Sequence, residues 1–119
     1  MKEEVSRFLP LSPATLHILL SLAGEDRHGY GIMQEVARQS EGRYKLGPGT
    51  LYDNLQKLLD WRLVEDLGQR AGDQDPRRRY YRLAPMGRAV LSAEVARLDE
   101  VVREAKLRLQ AAKPKPRRA

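Results

Sequence analysis

Residues 47–59 (GPGTLYDNLQKLL) constrain this chain more than any other stretch. Pro48 suits the first turn of a helix, where its missing N–H would have no partner anyway. Counted at 100° per residue, Leu51, Leu55, Leu58 and Leu59 fall into one apolar stripe. Gly49, Thr50, Asp53, Gln56, Lys57 and Asp60 fall on the far side, with Tyr52 and Asn54 at the boundary. The spacing predicts a helix over 48–60 with one face in a core. Its other face carries hydrogen-bonding groups, and small residues crowd its N-terminal end.

The flanking segments read as three more helices and a hairpin. Ser12-Pro13 starts a helix that runs to about Ala23. Leu16, Ile18, Leu19, Leu20 and Leu22 make it apolar almost all round, so deep burial or sharing between subunits is expected. A second helix spans 29–40, with Ile32, Met33, Val36 and Ala37 inward, and Glu41-Gly42 breaks it. After the 48–60 helix, 63–67 reads as a strand, 68–76 as a polar turn and 77–83 as a second strand with a basic arm. Pro85 then opens a long helix to about Ala111. The Pro- and Lys/Arg-rich residues 112–119 read as a disordered tail.

This order is mostly α with a small β-hairpin, a winged helix-turn-helix followed by a long C-terminal helix. One domain suits 119 residues. Its expected parts are 1–84 for the winged unit, 85–111 for a dimerisation helix and 112–119 for the tail. No apolar run is long enough to cross a bilayer, and a chain without cysteine fits a cytoplasmic setting.

Charge points to the partner. The net charge is +6, but residues 113–119 alone hold four cations and no acid. Without them, 18 basic residues face 16 acidic ones. Residues 70–82 hold five Arg against Asp73 and Asp75, so the remaining body is near neutral. Clustered cations are what phosphate contacts require.

A helix in the major groove keeps one face on its own core and offers the other to base edges. In the 48–60 helix, Gly49 admits close approach of a phosphate, Thr50 offers a hydroxyl or meets a thymine methyl, and Lys57 neutralises a phosphate. Asp53 works against this unless it accepts from a cytosine amine or pairs with Lys57. The plain alternative is that any surface helix has a polar face. On the hairpin, Arg77, Arg78 and Arg79 alternate sides if they lie on a strand, and both sides reach a backbone near the tip. The alternative there is that Arg77 and Arg78 pair with Asp73 and Asp75. Tyr81 reads as packing of the wing on the core.

The chain resembles the PadR family of transcriptional regulators. The resemblance rests on Leu11-Ser12-Pro13, on 28–32 (HGYGI), on 46–52 (LGPGTLY), and on 79–83 (RYYRL) followed by Pro85-Met86-Gly87. It covers about residues 9 to 95. It implies a dimeric winged-helix factor, usually a repressor, that often releases DNA when a small molecule binds. It further implies that Gly49, Thr50 and Tyr52 face the operator, with Lys45 just before them within reach of a phosphate. Ala84 stands where the family often has Thr, which removes a helix cap worth roughly 1 kcal/mol. Asp53 stands where many relatives carry a neutral or basic residue.

Leu91, Val95, Leu98, Val102, Ala105 and Leu109 are spaced four and three apart in alternation. This heptad-type seam on the long helix suits pairing with a second copy. Two recognition helices would then lie roughly 34 Å apart, one DNA turn, and read a palindromic operator. Arg97, Arg103, Lys106 and Arg108, with Glu94, Asp99, Glu100 and Glu104, are expected on solvated faces.

Enzyme chemistry has no support. His17 reads as a packed residue, and His28 as a cap or phosphate contact. Neither has a second His, a Cys or a carboxylate pair beside it, so no catalytic residue, metal ligand or cofactor is expected. Trp61 reads as core packing, or as one wall of a site for an aromatic effector. The long helix holds no aromatic residue, so a generic hydrophobic pocket suits an effector better. Two rival functions remain: a winged helix that contacts an acidic protein, and a dimer that binds a hydrophobic ligand without DNA.

Overall fold

The structure, a computed structural model, describes residues 2–111, so the expected tail at 112–119 lies outside the described residues. The elements run α1 (Lys2–Ser6), α2 (Pro13–Leu22), β1 (Arg27–His28), α3 (Gly29–Gln39), α4 (Pro48–Asp60), β2 (Val64–Gly68), β3 (Tyr80–Leu83) and α5 (Pro85–Ala111). The sheet is antiparallel with order β1-β3-β2. β2 and β3 form the wing, and β1 ties it to the start of α3.

Side-chain caps start α2 and α3, and backbone closures end α3 and α4. Ser12 caps α2, its side chain accepting from Thr15 N, with Pro at the first position. The His28 ring caps α3 by accepting from Gly31 N at 3.0 Å. Both α3 and α4 end in paired backbone bonds from a left-handed residue and the one after it. Glu41 N donates to Arg38 O and Gly42 N to Ala37 O; Arg62 N donates to Leu59 O and Leu63 N to Leu58 O. These closures satisfy the last carbonyls, and glycine usually makes them. Here Glu41 (φ 54°) and Arg62 (φ 61°) take the left-handed position.

The core lies where α2, α3, α4 and the wing meet. Ile18, Leu19, Ile32, Val36, Leu51, Leu55, Leu58, Leu63 and Val90 are buried there. Leu63 joins the parts. Its N–H closes α4, and its carbonyl accepts from Ala84 N at the end of β3. Gly87 of α5 packs so closely on that carbonyl that a Cβ would collide with it.

Several expectations need correction. The second wing strand is shorter than 77–83: pairing begins at Tyr80, opposite Gly68, and Arg77, Arg78 and Arg79 precede it. Asp73 and Asp75 take the local backbone N–H groups instead, accepting from Asp75 N and Arg77 N. Such side-chain turns compete with a ladder. Leu20 is half-exposed, which excludes deep burial in this chain and leaves the alternative of sharing between subunits; Trp61 is half-exposed too and packs against Phe8 with ring centroids 5.6 Å apart. Leu91 heads the expected seam but is buried in this chain's own core.

Glu94, expected on a solvated face, is buried. One carboxylate oxygen accepts from Leu11 N at 2.7 Å, and Arg97 holds the carboxylate from outside. This fastens the N-terminal segment to α5 across 83 positions of sequence. The hydrogen bond from Arg97 holds the Glu94 carboxyl below its ordinary value, against the opposing effect of burial.

A carboxylate with a depressed folded pKa stabilises the fold above its unfolded pKa, about 4.3 for Glu, and that stability is lost as pH falls through the folded value. Glu94→Ala should therefore lower stability by about 1–3 kcal/mol near neutral pH, because Leu11 N–H loses its acceptor. Glu94→Gln should cost less and flatten the decline in stability below pH 4.3. Urea unfolding across a pH series checks both. Parallel acid limbs for the wild type and Glu94→Gln would contradict the assignment.

Candidate nucleic-acid interface

Pro48 and Gly47 project the start of α4 out of the domain. Gly47 supplies no side-chain cap, and a Cβ on either Gly47 or Gly49 would meet only open space. The tip thus presents bare backbone N–H groups and the positive end of the helix dipole. Behind it, Leu51, Leu55 and Leu58 fix the helix to the core. Outward, Thr50, Asp53, Gln56 and Lys57 are exposed. Among the described residues their side chains make one bond, from Gln56 Nε2 to Asp60 at 3.0 Å. Asn54 bonds back to Thr50 O at 2.8 Å. Asp53 does not pair with Lys57. Lys45 is exposed just before the tip.

Tyr52 leans sideways from this face. It is half-exposed, and its hydroxyl end covers Gly29 at the start of α3, leaving no room there for a side chain. Tyr52 and the first turn of α3 form one wall of a crevice of about 460 Å³. Arg77, Arg78 and Arg79 form the other wall. The structure thus brings Tyr52 and the three wing arginines together. Thr50 and Lys45 lie outside the crevice lining, and Lys57 lines a different cavity.

Each wing arginine meets a carboxylate of its own chain. Arg77 lies 3.4 Å from Asp75, Arg78 lies 3.5 Å from Asp73, and Arg79 lies 2.9 Å from Asp66. Asp73 is nearly buried and also accepts from the Tyr80 hydroxyl, which holds its carboxyl below the ordinary range. The backbone N–H of Arg77 does the same for Asp75. Farther down the wing, Asp26 holds Arg82 at 3.0 Å, and Arg70 stacks over the Tyr80 ring at 4.1 Å. Burial and the nearby Arg78 charge lower the pKa of His28, which favours the neutral ring that the cap on α3 requires. Tyr81 is buried against the core.

The sequence reading named His28 as a cap or phosphate contact, and the structure shows the cap; it missed Gly29, Tyr30 and Asp75 as crevice residues. The acids interleaved among the arginines at 73–79 are the signal for Asp75. The approach of α3 to the wing depends on the two-residue β1, which has no sequence signature. His17, expected as a packed residue, stacks on Tyr44 with centroids 4.7 Å apart. No group of three His, Cys, Asp or Glu able to hold a metal occurs among the described residues.

The fold and this outward helix beside an arginine-lined wing define a winged-helix protein. The profile of the transcriptional regulator PadR-like family matches residues 18–93. Transcriptional regulator Rv3488 of Mycobacterium tuberculosis is 41% identical over 90 residues, 75% of this chain and 78% of that protein. A PadR-like transcription factor from Bacteroides fragilis superposes with a TM-score of 0.65 at 27% identity, covering 77% of this chain and 85% of that one. Bacillus subtilis PadR, solved in complex with operator DNA, superposes with a TM-score of 0.63 at 19% identity, covering 72% of this chain and 47% of that one. The chain belongs to the PadR-like family of transcriptional regulators.

The Tyr52–Gly29 contact is open to test. Gly29→Ala should push the half-exposed hydroxyl end of Tyr52 aside and cost less than about 1 kcal/mol. Adding Tyr52→Ala should restore much of the loss in thermal melting. A loss that survives Tyr52→Ala would show that Tyr52 is not what fills the space over Gly29.

Proposed function

We propose that the chain is a DNA-binding transcriptional repressor. It acts in the cytoplasm as a homodimer on a palindromic operator and is released by a small hydrophobic or aromatic effector. One observation carries the DNA reading: α4 presents an outer face that holds no other element among the described residues, beside a crevice walled by three arginines. Residues 1–84 form the DNA-binding unit and 85–111 the dimerisation helix. The tip at Gly49, Thr50 and Tyr52, with Lys45 and Lys57, meets the major groove and its phosphates. Arg77, Arg78 and Arg79 grip the flanking backbone.

Selection of bound duplexes from a random pool tests this directly, and enriched sites should show dyad symmetry. Arg78→Ala with Arg79→Ala should weaken all duplexes alike and reduce the salt slope by about 2. Thr50→Ala should leave stability unchanged and weaken the selected site, but not random DNA, by roughly 1 kcal/mol. Equal losses on both duplexes would overturn these roles. A protein-binding winged helix would show no duplex affinity at low salt.

The state of α5 supports pairing. Val95, Val102 and Leu109 are 51%, 48% and 75% exposed, Ala105 is exposed and Leu98 half-buried. Every residue from 99 to 111 is exposed. Arg103–Asp99 and Arg108–Glu104 ion pairs stiffen this rod. The seam available to a partner is therefore Val95, Leu98, Val102, Ala105 and Leu109, without Leu91. Val102→Glu with Leu109→Glu should give monomers in sedimentation, with the fold intact by circular dichroism. A dimer that survives both changes would place the interface elsewhere.

A cavity of about 570 Å³ between the N-terminal segment and α4 supports the effector reading. Its size suits a small molecule, and its lining includes Phe8, Trp61, Arg7 and Lys57.

A further inference from the structure

We propose that the crevice between α3, α4 and the wing seats one backbone phosphate of the duplex, and that Asp75 occupies that seat in the free protein. The inference rests on the DNA reading above and concerns how that surface is regulated.

Among the described residues, Asp75 is the one carboxylate lining the crevice, and three guanidinium groups line it with Asp75. One of its oxygens accepts from both Arg77 N, at 3.0 Å, and Arg77 Nε, at 3.4 Å. A carboxylate presents to a guanidinium much the same acceptor geometry as a phosphate. Asp75 thus satisfies the group that a phosphodiester would engage. Its neighbour differs in kind. Asp73 is only 5% exposed and is bound to Tyr80 as well as Arg78, so it is part of the framework. Asp75 is 39% exposed, and it pairs with an arginine that is 90% exposed. This is the pair that exchanges partners at little structural cost. The three arginines therefore do not approach DNA as free cations. Arg77 must leave Asp75 first, and the displaced carboxylate then faces the backbone. Both effects weaken binding to every sequence, which limits non-specific retention without touching the base-reading side chains.

Asp75→Asn is the informative substitution, because the amide oxygen still accepts from Arg77 N and keeps the loop in place. A random-sequence duplex is titrated over a salt series. The variant should bind roughly three- to tenfold more tightly at low salt, with a salt slope steeper by about one unit. In an Arg77→Ala background the same change should gain far less. An equal gain in both backgrounds would mean a general charge effect and would overturn the seat. No gain in either would overturn it alone, while absence of duplex affinity in every variant would sink the DNA reading and the seat together. Inorganic phosphate titrated into duplex-free Asp75→Asn at fixed ionic strength should not saturate. Saturation would make the occupant a free phosphate and overturn its assignment to the duplex backbone.

Discussion

Leu63 is the joint on which this architecture turns. It follows α4, precedes β2, and lends both its backbone groups to other elements: the N–H to the end of α4 and the carbonyl to the end of β3. Gly87 lies against the same carbonyl, so α5 begins at a fixed distance from α4. The side chain is wholly buried. An angle between α4 and α5 can be held only if such a joint is rigid. Backbone hydrogen bonds and a close glycine contact give rigidity that apolar packing alone does not. The left-handed Arg62 just before it makes the sharp exit from α4 possible, at a cost of roughly 1 kcal/mol that glycine would avoid.

The electrostatics follow a second rule. Cations on the wing are matched locally by acids, so the surface is less basic in effect than its composition suggests. Asp26, Asp66, Asp73 and Asp75 together engage Arg70, Arg77, Arg78, Arg79 and Arg82. Asp66, Asp73 and Asp75 also shape the turn through their bonds to backbone N–H groups. The same residues thus build the wing and restrain its charge.

Much of this was legible in the sequence. The bounds of α4 follow from Pro48 and a clean stripe, and α5 runs from Pro85 to Ala111 as its pattern predicts. What stayed hidden depends on distant partners or on elements too short to have a period. β1 has two residues and α1 has five. Glu94 reads as one more acid on a charged helix until Leu11 N is found beside it. Leu91 belongs to the same repeat as Val102, yet one faces the chain's own core and the other faces solvent. A heptad pattern cannot say where the domain ends and the free rod begins. Arg77, Arg78 and Arg79 look like strand residues by position, and two nearby carboxylates decide otherwise.

The outer face of α4 has an evolutionary corollary. Among the described residues, Thr50, Asp53, Gln56 and Lys57 anchor no other element, while the opposite face of the same helix is locked into the core. Substitutions on the outer face therefore leave folding almost untouched. If that face reads DNA, lineages of this regulator are free to acquire new target sites one residue at a time. Neutral drift in stability would then accompany rapid divergence in recognition, with the scaffold beneath unchanged.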